Sequence, residues 1–185
     1  MFTLEIVEKV LCAAFLAAAS LYDVYHFVKD KKGRIPNWLN LSALLAGLAL
    51  HAASGDLPGS ISGAVWGLFF GLVFYILGLF GAGDAKMLAG MGALAGQEVT
   101  FLTLLCGLVC LVLWSAPLRL RREGVRKFWE HEKQGLFFLA ARIRLKPVPP
   151  EKFDPSRLPL APFVVAGYLA ALILYKTGVV VLFHP

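Results

Sequence analysis

The sequence predicts an all-α protein, a polytopic bundle of about six transmembrane helices. The chain is 58% hydrophobic and only 16% charged, with a mean hydropathy of +0.71, whereas a soluble domain is roughly 45–50% apolar and about 25% charged. The apolar residues form runs near the ~20 residues that span a bilayer. Basic residues cluster at 23–37 and 118–158, a distribution typical of positive-inside topology.

The first two helices are predicted from their apolar runs and the residues that punctuate them. Residues 4–22 form the first, expected to stop near Asp23. We interpret it as a retained span, because no basic region leads it and no small-residue cleavage site follows. Pro36 disfavours helix at the residue before it and can open the next helix, at about 37–53.

The later helices are predicted in the same way, and one of them is unusually short. The run at 85–96 reaches only about 18–20 Å, less than the ~30 Å thickness of the hydrocarbon layer. We therefore expect it to be tucked among its neighbours. A single element that merges it with the next helix is the main alternative. The remaining predicted helices lie at about 58–80, 85–96, 98–117 and 160–182.

Six crossings give a consistent topology for one membrane domain covering 1–185. With the N-terminus outside, both basic segments fall on the cytoplasmic side of the membrane. The basic loop at about 118–158 alternates charged and apolar residues at near-helical spacing. It is either an amphipathic helix on the inner membrane face or a solvated loop with aromatic anchors.

Composition and spacing disfavour several other kinds of site. The net charge of +6 is accompanied by no nucleic-acid recognition motif, so we expect no nucleic-acid partner. Cys12, Cys106 and Cys110 lie within apolar runs, where thiols behave as small hydrophobic groups. No pair of CxxC motifs occurs. We therefore expect neither a metal nor another cofactor.

Two aspartates stand apart because they adjoin apolar runs. Asp23 follows the first run and Asp84 lies between two runs. Ionisable groups at membrane depth are costly and are by default functional, and the predicted topology places both on the cytoplasmic side. Two adjoining carboxyl groups titrate as a unit. One can then deprotonate a water while the other polarises a peptide carbonyl, as in an aspartic protease.

Gly81 and Gly83, just before Asp84, suit such a site because they let a substrate backbone approach closely. The alternative interpretation is that they are small residues that pack membrane helices together.

At these residues the chain resembles the type IV prepilin peptidase family, whose members are GxGD aspartic proteases of membranes. The resemblance is carried by Asp23, by Arg34-Ile35-Pro36-Asn37, by GAGDAK at 81–86 and by the Leu-Pro-Leu-Ala-Pro-Phe segment at 158–163. These features run in order from the first helix to the last, and the GxGDxK form is the most specific of them. The small size resembles the branch that serves Tad/Flp-type pili.

The resemblance implies a multi-pass endopeptidase of the cell inner membrane. It would remove the short basic leader of prepilin or pseudopilin precursors on the cytoplasmic side. Asp23 and Asp84 would be the catalytic residues. Larger members carry paired CxxC motifs linked to N-methylation of the pilin, and the first loop here has no cysteine. The residues that would bind substrate or shape the site are Gly81, Gly83, Lys86, Arg34, Pro36 and Asn37.

Three polar residues near the aspartates carry alternative interpretations. Lys86 would contact either an acidic residue of the substrate or lipid phosphate at the interface. Arg34 would orient the loop, hold substrate or serve as a positive-inside anchor. His26, three residues after Asp23, would face it across one turn or lie at the surface.

Two other functional classes fit parts of the pattern. A small transporter could use intramembrane carboxylates as proton carriers, although the inverted repeats that would favour it are not visible in the sequence. A non-catalytic assembly factor of a pilus or secretion system is the other alternative. Replacing Asp23 or Asp84 by Asn separates these classes, because a protease should lose cleavage of a leader-bearing pilin with either change, whereas a non-catalytic factor should tolerate both.

Overall fold

The computed structural model describes residues 2–30, 35–76, 80–142 and 160–177, and all regular secondary structure in these ranges is helical. The all-α prediction is therefore confirmed for the described part of the chain. The helices are α1 (Phe2–Asp30), α2 (Asn37–Ser54), α3 (Leu57–Ile76), α4 (Ala82–Arg142) and α5 (Ala161–Lys176).

Three of these helices contain stretches long and apolar enough to cross a membrane: Ile6–Lys29, Leu57–Ile76 and Ala82–Ser115. Helix α5 is apolar but shorter. Many large apolar side chains point away from the protein, among them Leu21 at 73% and Leu113 at 69% exposed. An outer surface of this kind suits a lipid solvent, and the chain is a membrane protein.

Helix α1 is longer than predicted. It continues for seven residues beyond Asp23, to Asp30, so the expectation that it ends near Asp23 is wrong. An aspartate inside a helix competes for nearby backbone groups and often ends the helix. Here the Asp23 carboxylate accepts its hydrogen bonds from another helix, α5, and does not compete with the backbone of α1.

The expected six helices are not confirmed, because residues 85–96 and 98–117 belong to the single element α4. That element nevertheless changes direction at Gly96, whose φ is +75°. After this turn, Thr103 and Gly107 lie against Gly167 of α5, and Gly107 lies against Phe163. The second part of α4 is therefore antiparallel to α5. A glycine takes this left-handed φ without the penalty that a side chain brings.

Helices α3 and α4 approach each other closely along a stripe of small residues. The buried residues of α3 are Ser60, Gly63, Gly67 and Gly71. A Cβ on Gly63 would collide with the carbonyl oxygen of Gly92, and the Ser60 hydroxyl donates to the Ala93 carbonyl oxygen at 2.8 Å. Such packing, with polar side chains bonded between helices, is typical of membrane proteins. It accounts for the glycine-rich sequence of both helices.

Contacts between helices define two ends of the bundle. One end, here called the aspartate end, contains Asp23, Asn37, Asp84 and Ala161. Ala161, the first residue of α5, is bonded to Asp23, and Lys86, two residues after Asp84, is bonded to Asn37. His51, Asp56 and Gly96 belong to the opposite end, where Glu8 and His51 come within 4.0 Å. The core between the ends includes Leu16, Met87 and Met91, all buried.

The basic segment after residue 117 is helical as far as Arg142, which fits the helical interpretation of this stretch better than the solvated loop. Its predicted position on the membrane surface stays a prediction. Residues 143–159 lie outside the described part of the chain, as do residues 178–182 of the predicted last helix. The last helix is described from Ala161 to Lys176.

Candidate active site

The two aspartates singled out by the sequence lie at the same end of the bundle. Asp23 belongs to α1 and Asp84 to the first turn of α4. Their carboxyl groups are close enough for the charge of Asp23 to act on Asp84. Two residues 61 positions apart in sequence (84 minus 23) are thus brought together by packing alone. Each carboxyl group is held by a different helix.

Asp23 is held by the first turn of α5. Its side chain is buried, at 4% exposure, and Oδ2 accepts a hydrogen bond from the backbone N–H of Ala161 at 3.3 Å. The backbone N–H of Leu160 lies close enough to act on the same carboxyl group. The first N–H groups of a helix have no partner within the helix, and the positive end of the helix dipole favours an anion. The side chain of Asp23, from α1, lies at this N-terminal end of α5.

Asp84 is held by the start of its own helix. Its Oδ2 accepts a hydrogen bond from the backbone N–H of Gly81 at 2.8 Å, and its own N–H donates to the Gly81 carbonyl oxygen at 3.1 Å. This is the arrangement in which an acidic side chain at the third helical position bonds back to the residue that caps the helix. The carboxyl group is therefore fixed locally and stays half-buried.

Residues before α2 pack directly onto the glycines before Asp84. Pro36 is the N-cap of α2, with φ −61° and ψ 137°, and its carbonyl oxygen accepts from the backbone N–H of Leu39 at 3.2 Å. Ile35 is buried, and a Cβ on Gly83 would lie 3.6 Å from it, at ordinary contact distance. The Ile35-Pro36-Asn37 segment and the Gly-Ala-Gly-Asp motif are therefore neighbours in space.

Lys86 and Asn37 join the same two motifs. The Lys86 Nζ donates a hydrogen bond to Asn37 Oδ1 at 2.9 Å, at an exposed position. This contact lies within the protein, whereas the partners expected from the sequence were an acidic residue of the substrate or lipid phosphate. It connects the beginning of α4, which carries Asp84, to the beginning of α2.

The remaining predicted residues are less informative. Arg34 lies outside the described residues. The ring of His26 packs edge-on against Tyr25, with 5.4 Å between the ring centroids. Among the described residues, no three His, Cys, Asp or Glu side chains are grouped to hold a metal ion.

The binding of Asp23 by the backbone N–H of Ala161, at the start of α5, was not predicted from the sequence. A signal was present, because Pro162 lies in the first turn of α5 and proline there marks a helix start. Nothing in the local sequence, however, says which side chain a helix start will face.

Comparison with known proteins gives one match. The sequence model of the type IV leader peptidase family matches residues 10–116, more than half of the 185-residue chain. The matched range includes Asp23, the segment around Pro36 and the GAGDAK motif. No curated protein and no solved structure matches the chain.

Proposed function

The chain belongs to the type IV leader peptidase family, and from this premise we propose that it is an aspartic endopeptidase whose catalytic residues are Asp23 and Asp84. Membership implies a membrane protease with a prepilin as its protein substrate, and it confirms the resemblance on which the sequence analysis relied. The proposal adds the chemical class of the protease and the two residues that carry out the reaction.

The placement of the two carboxyl groups is the observation that carries this proposal. They come from different helices, lie at one end of an apolar bundle, and are close enough for the charge of Asp23 to act on Asp84. Neighbouring carboxyl groups do not ionise together cheaply, so the pair holds one proton over a range of pH. A singly protonated pair contains both a base and an acid, as hydrolysis of a peptide bond requires.

The reaction follows from that protonation state. The ionised carboxylate accepts a proton from a water as the water oxygen bonds to the carbonyl carbon of the scissile peptide. The protonated carboxyl group donates a hydrogen bond to the carbonyl oxygen, where negative charge develops. The tetrahedral intermediate then collapses, the C–N bond breaks, and the leaving amine takes a proton from the pair.

We further propose that the site faces the cytoplasm and that the chain crosses the inner membrane six times. The clustering of Lys and Arg supports this orientation, and the reversal at Gly96 supports two crossings within α4. The substrate would be a Flp-type precursor, since the small chain resembles that branch. Its leader would be cut at the inner face while its own apolar helix stays in the bilayer.

Co-expression with a leader-bearing pilin tests the catalytic assignment. We expect Asp23→Asn and Asp84→Asn each to abolish cleavage, read as the loss of the mobility shift that follows removal of the leader. The matched control is Asp56→Asn, because Asp56 lies at the opposite end of the bundle with a side chain that is 68% exposed. Cleavage that survives either of the first two changes would reject the proposal and favour a non-catalytic assembly factor.

A further inference from the structure

We propose that the first turn of α5 is part of the catalytic apparatus, where the backbone N–H groups of Leu160 and Ala161 position the Asp23 carboxylate. This inference rests on the proposed function and deepens it. It adds α5 to the two helices, α1 and α4, that carry the catalytic carboxyl groups. It also assigns a role to a segment that lies outside the residues matched by the family model, which end at 116.

The local geometry leaves these two donors available. The N–H groups of Phe163 and Val164 both donate to the carbonyl oxygen of Leu160, at 2.9 and 3.2 Å, and Pro162 has no N–H to donate. Leu160 and Ala161 therefore carry the free N–H groups of this turn. The N–H of Ala161 donates to Oδ2 of Asp23 at 3.3 Å, and the N–H of Leu160 lies close enough to act on the same carboxyl group.

The need for a positioning group follows from the place of Asp23 in α1. Asp23 lies inside a continuous helix, seven residues before its end at Asp30, so no capping residue or turn of α1 holds its side chain. Asp84 is different, because the N–H of Gly81 in its own first turn binds it. Each catalytic carboxyl group thus has backbone donors from a helix start, Asp84 from α4 and Asp23 from α5.

Burial makes these donors necessary. A side chain as buried as Asp23, at 4% exposure, loses its hydrogen bonds to water, and a buried carboxylate without partners is strongly disfavoured. Two N–H donors at the positive end of a helix replace the lost water and fix the orientation of the carboxylate oxygens. Removing them would leave Asp23 in place but free to rotate away from the scissile peptide.

Solution NMR in detergent micelles tests the contact without reference to cleavage. We expect the amide resonances of Leu160 and Ala161 to move when Asp23 is changed to Ala, and those of Val164 and later α5 residues to stay. The matched control is Asp56→Ala, which removes an exposed carboxyl group at the opposite end of the bundle and should leave both resonances unchanged. Unmoved Leu160 and Ala161 resonances in Asp23→Ala would overturn the proposal.

Cleavage kinetics test the role of the contact. Ala161→Pro deletes one donor. The matched control is Leu169→Ala, an exposed position (53%) on the same helix that leaves both donors in place. We expect kcat to fall at least 10-fold in Ala161→Pro with KM within about twofold of wild type, and both constants to stay within about twofold in Leu169→Ala. A folded Ala161→Pro protein with wild-type kcat would overturn the proposal. Proline strains the helical Leu160 before it, so if this variant does not fold, the NMR comparison decides.

The two proposals fail separately. If Asp23→Asn and Asp84→Asn still cleave pilin, the aspartic mechanism is wrong even where the NMR contact is found. If both Asn variants lose cleavage while the amide resonances of Leu160 and Ala161 are unchanged in Asp23→Ala, the mechanism stands and only the role of α5 is rejected.

Discussion

The Nζ of Lys86 donates a hydrogen bond to Oδ1 of Asn37 at 2.9 Å, joining the beginning of α4 to the beginning of α2. Together with the contact between Ile35 and Gly83, it holds the segment around Pro36 against the helix start that carries Asp84. Lys86 therefore has a structural partner that accounts for its position beside the site. If Lys86 contributes to activity, we expect it to do so through its hydrogen bond to Asn37.

Exchanging the two residues tests this dependence. We expect Lys86→Asn and Asn37→Lys each to lower kcat roughly 2- to 10-fold, since an exposed hydrogen bond contributes about 0.5–1.5 kcal/mol. The double exchange restores an amine and an amide at the same distance and should recover activity to within about twofold of wild type. Steady-state cleavage of a purified pilin provides the measurement.

The opposite outcome would point to the substrate. If Lys86 binds an acidic residue of the pilin, both Lys86→Asn and the double exchange should raise KM by similar factors. Membrane insertion and thermal stability should be unchanged in all three proteins, and this serves as their common control.

A second prediction concerns Gly83. A Cβ there would lie 3.6 Å from Ile35, an ordinary contact, so Gly83→Ala should fold and keep its thermal midpoint within about 2 °C of wild type. If substrate backbone passes over this glycine, the added methyl group should raise KM several-fold and change kcat little. Cleavage kinetics alongside a thermal melt separate the two effects. Wild-type KM would show that the glycine serves helix packing instead.

How much of this site the sequence predicts depends on the range of the interactions. Asp23 and Asp84 were identified because a charge beside an apolar run is costly wherever it lies. Helix α2 was predicted within about a residue because Pro36 marks its start locally. The length of α1 was missed because the donors that satisfy Asp23 belong to α5, 138 positions away. Contacts of that kind depend on tertiary packing.

The turn within α4 illustrates the same limit. Gly90, Gly92 and Gly96 look alike in sequence, yet only Gly96 has a positive φ. Gly92 faces Gly63 of α3, and Gly90 faces Asn40 and Ala43 of α2. Their roles are set by which helix packs against each of them. The sequence predicted a short helix and its alternative, a merged one, and could not choose between them.

A third prediction tests the packing of α3 on α4. In Gly63→Ala the added methyl group would meet the carbonyl oxygen of Gly92, and neither backbone can move away without breaking the neighbouring contacts along the stripe. Overpacking of this kind costs about 1–3 kcal/mol, so we expect a clearly lowered thermal midpoint in detergent. Val65→Ala is the control, because Val65 is 60% exposed on the same helix. Equal melting of the two variants would contradict the close approach.

The last prediction concerns the membrane crossings. Cysteines introduced one at a time at positions 29, 56, 86 and 97, after replacement of Cys12, Cys106 and Cys110, can be labelled in intact cells with a membrane-impermeant maleimide. We expect positions 56 and 97 to react from outside and positions 29 and 86 to react only after the membrane is opened. The segment from 86 to 97 spans only about 16 Å as a helix, so its crossing requires a locally thinned bilayer or a buried end. If positions 29 and 86 emerged on opposite faces, Asp23 and Asp84 could not act on one peptide bond, and the catalytic assignment would fail with the topology.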